Sequence, residues 1–219
     1  MYIDIHRHSS DSGDADVVLR NVFHNEHGRV LSENYCSVGL HPWHINRASL
    51  VRDLGLVGKM ALQSNVLAIG ETGLDKAVDI DIETQREAFR AQAEIAKMAN
   101  KPLIIHCVKA YDELLSLRKN SRHKQPWIFH WFNAAPQTAF DLIAKGCYLS
   151  FGITLFKEEG KAFKSFGQIP LDRVFFETDD VGLSIKEVYE KAAFLRNITM
   201  DKLMGQIKLN FKNCFGKSL

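Results

Sequence analysis

Eight short apolar runs recur along this chain of 219 residues, and most are separated by stretches long enough to form a helix. They lie at about residues 2–6, 17–23, 35–43, 66–70, 102–106, 126–130, 147–152 and 173–178. Most are apolar at successive positions rather than at alternate ones, as in parallel strands covered by helices on both faces. Helical patterns are expected at 82–100, 111–120, 136–145, 158–166, 184–197 and 199–215. In the clearest of these, Phe89, Ala93 and Ala96 form one stripe and charges cover much of the other side. Pro102 limits that helix, Gly146 is suited to follow the end of another, and Ser184 with Glu187 forms a capping-box pattern. The expectation is an α/β chain, one domain over residues 1–219 folded as a (β/α)8 TIM-type barrel. About ten mostly polar residues separate His6 from Val17, too few for a normal helical crossover. The first β/α unit is therefore expected to be truncated, with a distorted seam or a simple loop.

Composition sets wide bounds. Hydrophobic residues make up 46% and charged residues 25%, ordinary for a chain with a sizeable core. A net charge of +2 gives no strong basic field for bulk nucleic-acid binding, although bound cations would add local charge that this count omits. Cys36, Cys107, Cys147 and Cys214 are widely spaced and form no CxxC pair, as expected of buried thiols in a reducing compartment. On a strand, Cys107 should face away from its neighbour His106. The N-terminal HRHSSDSGD is polar and no apolar stretch approaches membrane-spanning length, so a cytoplasmic location is expected.

Six residues of metal-ligating type close these apolar runs: His6, His8, Glu71, His106, His130 and Asp179. A parallel barrel builds its site from strand ends, so the placement describes one pocket. Four imidazoles and two carboxylates suit one or two divalent cations. His6 and His8 are two apart on a strand and point the same way. Glu71 can bridge two cations, and Gly70 and Gly73 are expected to let the backbone turn tightly beside it. Asp179 can hold a cation and take a proton from an activated water. A barrel is preferred to an open doubly wound sheet because these residues come from the first and last strands alike.

Other residues near these ends are candidates for substrate contact. His41 and His44 in GLHPWH are placed to line a cleft, and Trp43 is suited to stacking on a base or ring. Lys76 and Lys109 are candidates for phosphate contact. Asp75 is suited to orienting either a loop or a ligand. Asp180 reads as a capping or loop acid, and His24, His27 and His123 sit in polar stretches and are expected to be exposed.

Taken in order, IDIHRH, SVGLHPW, AIGETGLD, the Gln85–Phe89–Gln92 helix running into PLIIH, IFHWFNA, YLSFG, ETDD and NFKNCFG resemble the TatD family of metal-dependent hydrolases, amidohydrolase-type β/α barrels. AIGETGLD is the most specific match, close to that family's GEIGLD. The resemblance implies a two-metal site, with His6, His8, Glu71 and Asp179 on one ion. Glu71, His106 and His130 would hold the other, with Glu71 bridging. It implies Mg²⁺, Mn²⁺ or Zn²⁺ as cofactor and deoxyribonuclease action, often 3′-to-5′ on single-stranded DNA. The chain departs from the family where an arginine often follows the histidine of strand 5 by two residues; here that position is Val108. Asp180-Val181 replaces the usual Ser/Ala-Pro after ETD.

Three readings follow. The first is a two-metal phosphodiesterase of TatD type acting on single-stranded DNA, with Asp179 as base. The second is an amidohydrolase-like enzyme acting on a small-molecule ester, lactone or amide. The third is a non-catalytic metal-binding barrel, against which the intact carboxylates at 71 and 179 argue. No membrane association and no protein partner is implied.

Overall fold

The computed structural model describes residues 1–9, 11, 13–121, 124–179 and 181–219. Eight strands follow one another in sequence order within one sheet: β1 (Ile3–Arg7), β2 (Val17–Phe23), β3 (Cys36–Gly39), β4 (Val66–Asp75), β5 (Leu103–Val108), β6 (Trp127–Phe129), β7 (Tyr148–Phe151) and β8 (Val174–Phe176). The β1–β2, β3–β4, β4–β5 and β7–β8 pairings are parallel. The segment after β8 returns to β1: Thr178 Oγ1 donates to Asp4 Oδ2 at 2.5 Å, and the Asp179 N–H to the His6 carbonyl at 2.9 Å. This is the strand order of a (β/α)8 barrel.

Helices α1 (His27–Val30), α2 (Leu50–Met60), α3 (Ile82–Ala99), α4 (Tyr111–Asn120), α5 (Pro136–Ala144), α6 (Lys161–Gln168), α7 (Ile185–Arg196) and α8 (Met200–Phe215) supply the connections and the C-terminal end. Among the described residues no helix lies between β1 and β2. The first unit is truncated, as expected, and Arg20 holds two of its described connecting residues by donating to the Ser9 and Asp11 carbonyls. Helix α2 has no counterpart among the sequence expectations. Gly55 and Gly58 lower its intrinsic propensity, and burial of Leu50, Val57 and Met60 overrides that. No helix of the described residues is long and apolar enough to cross a membrane.

Contacts divide the chain into two compact units, residues 21–128 and residues 1–20 with 129–219. In the first unit β4 is buried along its whole length and pairs with β3 and β5. It runs to Asp75, five residues beyond its expected end at Gly70. Glu71 therefore lies within a strand, and the two glycines beside it serve close strand approach rather than a turn. A Cβ at Gly70 would stand 2.5 Å from the Ile104 carbonyl oxygen. Helix α3 clamps this sheet with two buried amides. Gln85 accepts from the Asp75 N–H at 2.8 Å and donates to the Asp75 carbonyl at 2.9 Å. Gln92 accepts from the Leu40 N–H at 2.8 Å and donates to the Leu40 carbonyl at 3.0 Å and Thr72 Oγ1 at 2.7 Å. Gln92→Leu strips a buried N–H and carbonyl of their partner, so it should cost about 2 kcal/mol. A shifted urea midpoint reports this, and an unshifted one removes the clamp from the stability account.

In the second unit the interior is aromatic. Phe132, Phe151, Phe166, Phe176 and Tyr189 follow one another with ring centroids 5.6, 5.3, 6.0 and 4.7 Å apart. The Tyr189 hydroxyl donates to the Ile3 carbonyl and accepts from its N–H, both at 3.1 Å, which ties α7 to β1. The Ser184–Glu187 capping box is formed at the start of α7.

Candidate metal centre

In the unit of residues 21–128 the site is built on β4 and β5. Gly73 of β4 is in register with His106 of β5, which sets Glu71 and His106 side by side. Glu71 Oε1 lies 2.7 Å from His106 Nδ1 and 3.2 Å from His41 Nε2, and those two nitrogens are 3.2 Å apart. All three residues are buried. The surrounding hydrogen bonds assign the two tautomers. His41 Nδ1 accepts from the Trp43 N–H at 3.1 Å, so the neutral ring carries its proton on Nε2 and directs it at Glu71. His106 Nε2 lies 3.1 Å from Asp75 Oδ2 and donates to it, which leaves the lone pair on Nδ1 facing Glu71. A carboxylate oxygen and an imidazole lone pair this close, the imidazole backed by a second carboxylate, are a fitting donor set for a divalent cation. His41 supplies a hydrogen-bond donor to the ligand carboxylate.

Asp75 is thus the orienting residue behind His106. Its Oδ2 also accepts from the Trp43 indole N–H at 2.6 Å, and its Oδ1 from the Ala77 amide at 2.8 Å. Burial pushes its carboxyl up, but the hydrogen bonds from Trp43, Ala77 and His106 outweigh burial and hold it below the usual range.

In the unit of residues 1–20 and 129–219, β1 places Asp4 and His6 at alternate positions on one face, and His8 follows just past its end. Asp179 Oδ1 lies 3.3 Å from His8 Nε2 and 3.9 Å from His6 Nε2. The His6 and His130 rings are 4.4 Å apart. Behind them, Glu177 Oε1 lies 3.7 Å from His130 Nδ1 and accepts from the Trp131 N–H, and its Oε2 is buried without a hydrogen-bond partner. Asp179 has φ 52°, a left-handed conformation that Asp and Asn tolerate. The Asp4 and Glu177 carboxylates were not among the sequence candidates. A signal for Asp4 was present, since the two-residue spacing of His6 and His8 extends back to it. Glu177 stands two before Asp179 by the same spacing.

Burial raises the Asp4 carboxyl to about 7, against hydrogen bonds from Thr178 and the His6 amide. The folded chain therefore keeps this proton up to about pH 7, whereas an unfolded Asp loses it near pH 4. The stabilisation is complete below about pH 4 and lost as pH rises through about 7. With EDTA present, the thermal midpoint should fall between pH 5 and pH 8, and Asp4→Asn should remove most of that fall. An unchanged slope in the variant would refute the assignment.

The other sequence candidates are dispersed. Trp43 has its indole N–H held by Asp75 while the residue is 59% exposed, with its ring 5.0 Å from that of His41. Lys76 is ion-paired with Glu113, which also holds Arg86 at 2.7 Å. Lys109 is exposed, with φ 54°. His27 is exposed, but His24 is buried at the end of β2, against expectation. Polar neighbours conceal that, just past β2, its N–H still donates to the Gly39 carbonyl at 3.0 Å. Asp180 and His123 lie outside the described residues. All four cysteines are free thiols, and burial pushes those of Cys36 and Cys107 up to about 12.

The model of the TatD related DNase family matches residues 25–216. The metal-dependent hydrolase YcfH of Escherichia coli K12 is 30% identical over 195 residues, covering 82% of this chain and 72% of that protein. The metal-dependent hydrolase YabD of Bacillus subtilis is 29% identical over 198 residues, covering 83% and 77%. A protein of Erwinia amylovora named 3′-5′ ssDNA/RNA exonuclease TatD is 28% identical over 214 residues, covering 84% and 79%. The crystal structure of YjjV, a TatD homologue from Escherichia coli K12, superposes with a TM-score of 0.86 at 22% identity, covering 99% of this chain and 98% of that one. The strand order, the His/Glu donor set and the family match over most of the chain agree: this chain belongs to the TatD related DNase family of metal-dependent hydrolases.

Proposed function

We propose that the chain, as one domain in the cytoplasm, is a two-metal phosphodiesterase that degrades single-stranded DNA. The observation that carries this reading is the Asp75–His106–Glu71 relay, in which one carboxylate fixes the imidazole tautomer that turns a lone pair toward another. The ligand set follows the family pattern: His6, His8, Glu71 and Asp179 for one cation, and Glu71, His106 and His130 for the other. Bound divalent cations would supply Lewis acidity and bring the pKa of an attacking water toward neutrality. Asp179 would be the group to take up a proton from such a water. Asp75 and His41 orient the ligands His106 and Glu71. Trp43, largely exposed beside His41, presents a face for a base; exposed Lys109 is available to a phosphate, and Lys76 would reach one by leaving Glu113. The exonuclease name of the Erwinia relative supports the choice of substrate.

One observation favours a second reading, hydrolysis of a small-molecule ester, lactone or amide. Position 108, which ends β5, is valine and offers no guanidinium to a phosphate. The test is degradation of end-labelled single-stranded DNA with Mg²⁺, Mn²⁺ or Zn²⁺, alongside a panel of carbonyl substrates and metal analysis of the same sample. DNA degradation that EDTA abolishes is the expected result. Turnover of carbonyl substrates alone moves the assignment to the second reading.

A further inference from the structure

The unit of residues 21–128 holds a second feature that the metal cluster does not use. A cleft of about 470 Å³ opens beside the one-turn 3-10 helix Pro42–His44, between the end of β2 and the start of α2. Phe23 and His44 form one wall, their rings edge to face at 5.1 Å. His24 is nine-tenths buried in the lining, and its Nδ1 has no hydrogen-bond partner. A buried polar nitrogen of this kind calls for a partner. Burial holds the His24 imidazole below its usual range, with His44 and Arg52 adding to this and Asp53 opposing it, so the ring is neutral at pH 7. Its Nε2 faces Asp53 Oδ2 at 3.9 Å.

The charges in the cleft are already spoken for. Asp53 accepts from Ser49 Oγ at 2.5 Å and from Arg52 Nε at 3.0 Å. Glu26 accepts from the Phe23 N–H at 2.9 Å and stands 3.5 Å from Arg29. The lining residues carry Glu26 and Asp53 against Arg52, one net negative charge that the neighbouring Arg29 offsets, and one wall is aromatic. That composition suits a flat heteroaromatic ring with hydrogen-bonding edges better than it suits a free anion. Arg52 shares its Nε and Nη2 with Asp53, each at 3.0 Å, but its side chain is 74% exposed at the rim, and among the described lining residues it is the cation that could also meet a phosphate attached to such a ring. The cleft also adjoins the candidate cation ligands. His41 and His44 are three apart on one 3-10 turn and so share a side, with ring centroids 5.9 Å apart, and His41 donates to Glu71.

We propose that this cleft is a nucleoside-binding subsite, which holds a base against Phe23 and His44 with its phosphate at Arg52. The proposal rests on the nucleic-acid reading of the function above and names where a nucleotide beside the reacting one would sit. It is tested by titrating ¹⁵N-labelled protein in EDTA with thymidine 5′-monophosphate and, separately, with inorganic phosphate. The expected result is saturable shifts of the backbone amides of residues 24–26 and 49–53 with the nucleotide and not with phosphate. Phe23→Ala should raise the dissociation constant about tenfold. Arg52→Ala should raise it about threefold, with the thermal midpoint measured alongside because the change also removes a donor from buried Asp53. Equal shifts with phosphate, shifts confined to residues around Glu71 and His106, or unchanged binding in Arg52→Ala and Phe23→Ala would each overturn the subsite. Hydrolysis of bis(p-nitrophenyl) phosphate separates the two claims. Hydrolysis with the cleft amides unmoved by the nucleotide overturns the subsite alone. Cleft binding without hydrolysis of any phosphodiester sustains the subsite and overturns the reaction.

Discussion

Asp179→Asn should lower hydrolysis of single-stranded DNA by about a thousandfold and leave the far-UV circular dichroism and thermal midpoint close to those of the wild type. The exchange is isosteric. Asn tolerates the left-handed conformation that Asp179 adopts, and it retains the N–H that donates to the His6 carbonyl at 2.9 Å. What it removes is the anionic oxygen 3.3 Å from His8 Nε2, together with the capacity to accept a proton. These two losses separate in a titration with metal. If Asp179 serves only as a ligand, the rate of the variant returns at high Mn²⁺. If it is also the base, the rate stays low at saturating metal while metal content is restored. An unimpaired variant would remove Asp179 from both roles.

How much of this was legible in the sequence depends on the range of the interaction concerned. The order of strands and most helices were readable because apolar run length, periodicity and caps such as Ser184 with Glu187 are local. The true length of β4 was not. Its ETGLD segment reads as a turn, and becomes a strand only because β5 and the Gln85 amide pair with its backbone. Helix α2 was hidden by Gly55 and Gly58, whose cost is offset by tertiary burial. At the site, strand-end placement singled out the candidate ligands, and the structure brings Glu71 to His106, His6 and His8 to Asp179, and His130 to His6. Asp75 was visible as an orienting residue, but the partner that each orienting carboxylate meets was not. Asp75 meets His106 across 31 positions and Glu177 meets the Trp131 amide across 46, and neither spacing carries a local pattern. His24 misled for the same reason: its neighbours in sequence are polar, while its neighbours in space bury it.

The largest expected effect on stability belongs to a glycine. A Cβ built on Gly73 would stand 1.8 Å from the His106 carbonyl oxygen, 2.7 Å from its carbon and 2.9 Å from its nitrogen. These are backbone atoms of the paired strand, so no side-chain rotation relieves the clash. Gly73→Ala must push β5 away from β4, and should cost at least about 3 kcal/mol or leave no soluble protein. Gly55→Ala is the matched control. It lies in α2, where an added Cβ meets nothing within 4 Å, and it should raise stability by about 0.5–1 kcal/mol. Urea midpoints of the two variants should therefore move in opposite directions. A Gly73→Ala protein as stable as the wild type would show that β4 and β5 do not approach this closely in solution. The same displacement reaches the site, because Gly73 and His106 are register partners and Glu71 lies two residues before Gly73 on the same strand. Any Gly73→Ala protein that does fold should thus bind divalent cations more weakly, as Glu71 Oε1 and His106 Nδ1 are drawn apart from their 2.7 Å separation. Close packing of the two backbones and the pairing of the two ligand atoms are one structural fact, and a single methyl group tests both.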